Sequence, residues 1–319
     1  MAFYIGVDIG GTNIKAGVTD GTGNIVGEAE TPTGANRPQE AVIGDILSAA
    51  DRAVSAAGVL RREIFAAGVG CPGTVESSSG SVVYNNNLGW RDFPLGKLLS
   101  EAWGLPVRVE NDANAAALGE VCAGSARGAS SAMILTLGTG VGSGFVVDGR
   151  IWTGWNASAS EFGHMVIVKG GRPCTCGRRG CLEAYASATG LIAMTREAMT
   201  AHPESLLNAL AKEEGRVGGH TAFAAAERGD ATALRVVDEY LDCLACGVTN
   251  IVNGLQPEVV GIGGGVGRQG ERLLVPLRQK VYAEVYGGRG ERFTRLTQCT
   301  LGYRAGLVGA AMAAMQSTP

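Results

Sequence analysis

One arrangement occurs twice along these 319 residues. An apolar run from Phe3 to Asp8 meets a glycine turn, a second run from Ile14 to Thr19, an Asp20-Gly21 turn, and a third run from Ile25 to Glu30. From Ala132 the order returns: apolar to Leu137, then Gly138-Thr139-Gly140-Val141-Gly142, apolar from Phe145 to Val147, Asp148-Gly149, and Arg150-Ile151-Trp152. Apolar runs separated by glycine and Asp-Gly turns predict hairpins, because such turns draw on residues that tolerate positive φ. A meander met twice predicts two related α/β domains, each opening with the same strands.

Helical patterns fill the intervals. They run over Gln39 to Ala57 behind Pro38, over Asp112 to Cys122 with Asp112 as the N-cap, and over Glu183 to Thr200, Thr232 to Asn253 and Arg304 to Met315, the last Ala-rich and apolar on one side. A third strand-and-glycine pair, Val259 to Gly265, leads into a helix over Glu271 to Tyr286. Strands alternating with helices predict α/β domains with mixed sheets. A domain boundary falls near Gly124 to Ser130, and residues 202–229 are weakly patterned, with helical pieces expected.

The net charge of −3 gives no electrostatic case for nucleic acid or an anionic membrane as partner. With no leader-like segment and no long apolar span, a cytoplasmic location is expected. Five of the eight cysteines, Cys71, Cys122, Cys243, Cys246 and Cys299, lie in apolar or helical surroundings and read as buried free thiols.

The other three are clustered. Cys174, Cys176 and Cys181 follow His164 closely, and Cys₃His is a zinc ligand set of the closed, structural kind. Gly177 and Gly180 let the short loop curl. The competing reading is a loop of free thiols. Glu161 and Glu183 flank the cluster, and carboxylates accept paired hydrogen bonds from vicinal hydroxyls. With one ring nitrogen of His164 on zinc, the other is available to a ligand hydroxyl.

Asp8-Ile9-Gly10-Gly11-Thr12-Asn13-Ile14-Lys15 is not a Walker A sequence but a tight turn between strands. Glycines there bring backbone N–H groups close to an anion, and Thr12 and Asn13 add polar groups. Gly138-Thr139-Gly140 is its counterpart in the second half, and Gly263-Gly264-Gly265 is a further glycine turn. Each alone could be a plain turn; at equivalent points of a repeated pattern they suggest phosphate loops. Asp8 closes a strand beside the first loop, where its carboxylate could hold Mg²⁺ or cap a turn. Asp112 stands where strand gives way to helix, a usual ligand position in α/β sheets. There it could accept a proton from an attacking hydroxyl, or simply cap the helix.

Taken together, these motifs resemble the ROK family (repressors, open reading frames, kinases), nearly end to end. The resemblance rests on Asp8 to Asn13, Glu110-Asn111-Asp112-Ala113-Asn114, Leu137 to Gly140, Glu161-Phe162-Gly163-His164, Cys174 to Glu183 and Gly263 to Gly265, all in the family's order. Asn87-Leu88-Gly89-Trp90 and Phe93-Pro94-Leu95 are similar to its bacterial glucokinase branch. The resemblance implies an actin-like (ribonuclease H-like) two-domain α/β fold with an active-site cleft between domains. The small domain would comprise residues 1–125 plus 302–319, and the large one, carrying the zinc loop, residues 126–301.

It implies ATP with Mg²⁺, structural Zn²⁺ and phosphorylation of glucose at the 6-hydroxyl, with Asp112 as general base. Gly73, Asn87, Asn111, Glu161, His164 and Glu183 would contact the sugar. Asp8, Gly10, Gly11, Thr12, Asn13, Lys15, Gly138, Thr139 and Gly140 would serve the phosphates, and Gly263, Gly264 and Gly265 the adenosine. It also implies a homodimer or homotetramer. Rival readings are a kinase for N-acetylmannosamine, N-acetylglucosamine, allose or fructose, a sugar-sensing repressor, and a structural zinc protein. The repressor would need a DNA-binding segment before the first strand; the zinc protein leaves the phosphate loops and Asp112 unexplained.

Overall fold

The computed structural model describes residues 1–34, 37–85, 87–287 and 293–318. The strands are β1 (Phe3–Ile9), β2 (Asn13–Asp20), β3 (Ile25–Pro32), β4 (Ile64–Cys71), β5 (Thr74–Glu76), β6 (Ser81–Asn85), β7 (Trp90–Phe93), β8 (Val107–Asn111), β9 (Ser131–Leu137), β10 (Val141–Val147), β11 (Arg150–Ile151), β12 (Val259–Gly263) and β13 (Arg295–Gln298). The helices are α1 (Gln39–Ala57), α2 (Leu95–Trp103), α3 (Asp112–Ala123), α4 (Glu183–Ala186), α5 (Ala188–Ala201), α6 (Leu206–Glu213), α7 (Thr221–Glu227), α8 (Ala231–Leu255), α9 (Gly264–Gly267), α10 (Glu271–Glu284) and α11 (Ala305–Gln316).

The duplicated pattern becomes a duplicated sheet. One sheet has the order β3-β2-β1-β4-β8 and the other β11-β10-β9-β12-β13. Each is a meander with two later strands added beside its first strand. In the first sheet β1 runs antiparallel to β2 and parallel to β4, and β4 runs parallel to β8. Strands β1, β4 and β9 are buried along nearly their whole length, as strands covered on both faces must be. The edge strand β3 alternates half-buried with exposed residues. A small third sheet, β5-β6-β7, has no counterpart in the sequence pattern.

By their internal packing the residues form two compact units. The first comprises Met1–Ile134, Gly144–Ser160 and Thr300–Pro319; the second comprises Leu135–Ser143 and Glu161–Cys299. In the first, α11 packs on α3, β1 and β4. The approach is so close that a Cβ at Gly309 would fall 1.6 Å from the Ala115 carbonyl oxygen, and one at Gly68 1.8 Å from that of Ala310. Where an apolar face on one side was expected, α11 is buried continuously from Ala305 to Ala314, so it is a core helix.

Also in the first unit, the fully buried Glu120 accepts from the N–H groups of Ser125 (2.7 Å), Thr300 (3.1 Å) and Leu301 (2.8 Å). Three backbone donors replace the water that this carboxylate gives up. Glu120 thereby ties the end of α3 to the residues where the chain re-enters this unit.

In the second unit the long helix α8 packs against α5, α7 and α10. The helix expected over Glu183 to Thr200 is interrupted at Ser187. Its backbone is extended (φ −78°, ψ 167°) and its hydroxyl accepts from the Gly190 N–H, so α5 starts afresh there. The weakly patterned region 202–229 holds α6 and α7. None of the eight cysteines forms a disulfide, and of the five expected to be buried only Cys71 is; Cys122, Cys243, Cys246 and Cys299 are half-buried.

Candidate active site

In the first unit, β8 passes directly into α3. The N-cap is Asn111, not Asp112: its side-chain oxygen accepts from the N–H groups of Ala113 (2.9 Å) and Asn114 (3.1 Å). Both residue types cap well; the one still in strand geometry (φ −61°, ψ 144°) takes the role. The Asn111 amide also donates to the Gly73 carbonyl at 3.0 Å. Gly73 itself has φ +96°, and a Cβ there would meet the Tyr84 carbonyl at 2.1 Å. Asp112 is thus the first helical residue, and its Oδ1 accepts from the Ala113 N–H at 2.9 Å. Asn87 lies exposed in the turn after β6. The buried amide before that turn belongs to Asn85, the last residue of β6, which donates to the Pro72 carbonyl at 2.8 Å and accepts from the Leu88 N–H.

Asp8 lies opposite Lys15 in the β1–β2 pairing. Burial, and after it the nearby Asp112 carboxylate, push the Asp8 carboxyl up to about 6, with Lys15 opposing. A second carboxylate that raises the ionisation cost of Asp8 makes this a place where a cation would be favoured. The Gly10 to Asn13 turn is closed by Gly10 N–H donating to the Asn13 carbonyl (2.9 Å) and clamped by Thr33, whose hydroxyl donates to the Gly10 carbonyl (2.6 Å). A Cβ at Gly11 would meet nothing within 4 Å, so this turn presents open backbone.

In the second unit, the counterpart turn is held by the start of α5. The Ala188 N–H donates to the Gly138 carbonyl (2.8 Å) and the Thr189 hydroxyl to the Thr139 carbonyl (2.8 Å). Gly140 faces Glu183: a Cβ there would fall 2.2 Å from the carboxylate, whose Oε2 accepts from the Val141 N–H at 3.0 Å. The other oxygen, Oε1, accepts from the Thr175 hydroxyl at 3.1 Å. Gly263, Gly264 and Gly265 end β12 and open α9. Gly264 has φ +78°, and a Cβ there would meet Leu137 backbone at 2.5 Å. Glu161 is exposed just before the short 3₁₀ turn Phe162–His164, which is pinned by the Phe162 N–H donating to the Ser143 hydroxyl (3.0 Å).

The donor atoms of His164, Cys174, Cys176 and Cys181 all lie within 4.8 Å of one another. Cys176 Sγ and Cys181 Sγ are 3.7 Å apart, and Cys174 Sγ is 3.6 Å from His164 Nδ1. A tetrahedral ion with bonds of about 2.3 Å to sulfur and about 2.0 Å to nitrogen spaces its ligands by about 3.8 and 3.5 Å. The loop has the curl it needs: Gly177 and Gly180 have φ +86° and +85°, and a Cβ at Gly180 would strike the Val168 carbonyl at 1.7 Å. Burial pushes the Cys181 thiol up to about 12, whereas the Arg178 N–H lowers that of Cys176. Arg172 anchors the loop through two bonds to Glu197 (2.8 and 2.6 Å).

The sequence reading missed Asn85, Thr175, Glu110 and Glu120. Glu110 is 2% exposed and accepts from Ser77 and Arg108. In sequence it sits in a strand of mixed polarity, Val107-Arg108-Val109-Glu110-Asn111, which gives no signal of its burial.

Comparison with known proteins gives the family. The ROK family model matches residues 4–317. A glucokinase of Halalkalibacterium halodurans is 41% identical over 310 residues, covering 96% of this chain and 93% of that protein. Among solved structures, a ROK family glucokinase from Streptomyces griseus in complex with glucose and AMPPNP is 34% identical, with TM-score 0.83, covering 99% of this chain and all of that one. A ROK hexokinase from Thermus thermophilus is 35% identical, with TM-score 0.80, covering 98% of each chain. The match runs over nearly the whole of both units, and the chain belongs to the ROK family.

Proposed function

We propose that this protein is a glucokinase, transferring the γ-phosphoryl group of ATP to the 6-hydroxyl of glucose. The full-length similarity to glucokinases carries the reading. The local chemistry agrees with it, because a carboxylate, Asp112, opens α3 directly at the end of β8.

Asp112 accepts the proton of the 6-hydroxyl as its oxygen bonds to phosphorus and the bond from phosphorus to the ADP oxygen breaks. Asn111, the Gly73 backbone, Asn87, Glu161, His164 and Glu183 bind the sugar hydroxyls. His164 turns Nδ1 toward the thiols, so Nε2 is the nitrogen offered to the sugar. The Gly10 to Asn13 turn with Lys15, and the Gly138 to Gly140 turn, hold the phosphates through backbone N–H groups. Gly263 to Gly265 lies by the adenosine. Asp8, with Asp112 near it, would hold Mg²⁺, which neutralises phosphate charge during transfer.

The Cys₃His cluster is a structural zinc site; the match of its spacings to a tetrahedral ion supports this. We also infer a homodimer or homotetramer, supported by the family resemblance and by exposed Leu234 and Val275 on α8 and α10. A cytoplasmic location accords with the free thiols, and among the described residues no helix is long and apolar enough to cross a membrane.

The test is ADP release with ATP and Mg²⁺ over a panel of hexoses and N-acetylhexosamines. Asp112→Asn should lower kcat by about a hundred- to ten-thousand-fold while glucose affinity stays within about tenfold. Near-normal turnover in that variant removes Asp112 from the mechanism; preference for another sugar replaces the substrate.

A further inference from the structure

The first unit contains a cavity of about 600 Å³ that none of the residues assigned above lines. Its wall includes Thr74, Ser77, Arg108, Thr153, Trp155 and Asn156. The floor is fixed from behind by the buried Glu110. That carboxylate accepts from the Ser77 hydroxyl at 3.0 Å and from Arg108 Nη2 at 3.2 Å. Arg108 Nε is shielded from solvent and has no hydrogen-bond partner among the described residues.

The charge balance narrows the occupant. Glu76, also on the wall, and Glu110 outweigh Arg108, so a phosphate or other anion is disfavoured. The wall offers hydroxyls, an amide, a carboxylate and a guanidinium, with Val75, Val83 and one aromatic ring as its apolar part. That is the composition that recognises a neutral polyol, whose hydroxyls both donate and accept and whose C–H face packs on a ring.

Trp155 is the second independent observation. It is 100% exposed, although a large ring left fully in water is unfavourable. Its loop is held in a costly backbone: Ala157 and Ser160 have φ of 61° and 67°, where residues other than glycine are rare. The Ala159 N–H donates to the Thr153 carbonyl at 3.0 Å and closes the loop. Such strain persists where the surroundings enforce it and concentrates at ligand-binding segments. The pocket also adjoins the sugar ligands: Thr74 follows Gly73, whose carbonyl accepts from Asn111.

We propose that this pocket is an accessory carbohydrate subsite that takes a second hexose unit linked to the one being phosphorylated, with Trp155 as its stacking platform. The proposal rests on the glucokinase reading above. The enzyme then accepts a glucosyl disaccharide whose first unit offers a free 6-hydroxyl.

The experiment measures kcat/KM for glucose and for a panel of glucosyl-glucose linkage isomers, using wild type, Trp155→Ala and Trp155→Phe. Trp155 is fully exposed, so neither substitution threatens the fold. At least one isomer should be phosphorylated. Trp155→Ala should lower the ratio of disaccharide to glucose kcat/KM by about tenfold or more, and Trp155→Phe should hold it within about threefold. If glucose is phosphorylated and no isomer is, or if the ratio is indifferent to Trp155→Ala, the subsite is overturned while the glucokinase reading stands. Silence on glucose as well overturns both.

Discussion

Asp8 makes a prediction in which stability and activity move in opposite directions. Its carboxyl is raised from 3.8 to about 6, by burial first and by Asp112 second. The folded state therefore holds this proton more tightly than the unfolded chain does. Below pH 3.8 both states are protonated and the residue is neutral in its effect. Between 3.8 and 6 the unfolded chain releases the proton first, so stability falls as pH rises. Above 6 the ionised carboxylate costs the metal-free fold up to about 3 kcal/mol. Asp8→Asn removes that cost. With about 2.1 cal/mol/K of unfolding entropy per residue, 319 residues convert the gain into about 4 °C of Tm near pH 7.5.

At about pH 4.5 the same arithmetic leaves about 1.5 °C. Thermal unfolding followed by circular dichroism, in chelator and without nucleotide, reads both values. The variant should at the same time lose most of its kinase activity, and its stability advantage should shrink when Mg²⁺ and ATP are added. A variant that melts no higher than wild type near neutral pH, or whose advantage is unchanged in acid, would refute the reasoning.

Cys176→Ser should lose bound zinc and raise the glucose KM at least about tenfold, since the loop that carries Thr175 and leads into Glu183 is released; metal analysis of wild type without zinc would contradict this. Gly264→Ala combines a positive φ with a Cβ 2.5 Å from Leu137 backbone, so it should destabilise by about 2–4 kcal/mol, read by denaturant titration. Glu120→Gln cannot serve three N–H donors as an ionised carboxylate does, and should cost about 1–3 kcal/mol.

The meander, the principal helices and the clustering of His164 with Cys174, Cys176 and Cys181 were legible because each depends on local chemistry: β-prone runs between glycine turns, apolar periodicity, and thiols and an imidazole at short spacing. What escaped depends on partners distant in sequence. Asn111 and Asp112 are both good caps, and only the strand geometry at 111 decides between them. Asn85 and Asn87 stand in one polar run; the β6–β7 pairing turns the first inward. Glu110 and Glu120 look like surface residues in sequence, and their burial is explained by donors from other segments. Ser187 splits a helical run because its hydroxyl finds the Gly190 N–H. The strands β5, β6 and β7 are three to five residues long, too short for a period to show.

The core position of α11 also fixes an order of events during synthesis. Strands β1 to β4 of the first unit precede the second unit in sequence, yet their sheet is covered by a helix spanning Ala305–Gln316. The second unit is complete in sequence by Cys299. The usual expectation is that the N-terminal domain folds first as it emerges. Here the order is inverted: β1 and β4 must wait, with one face uncovered, until the second unit has been made and α11 has followed it. Gly6, Gly68 and Gly309, which admit α11 so closely, therefore act at the last step of assembly. A ribosome stalled short of Ala305 would display an open apolar sheet beside a finished second unit.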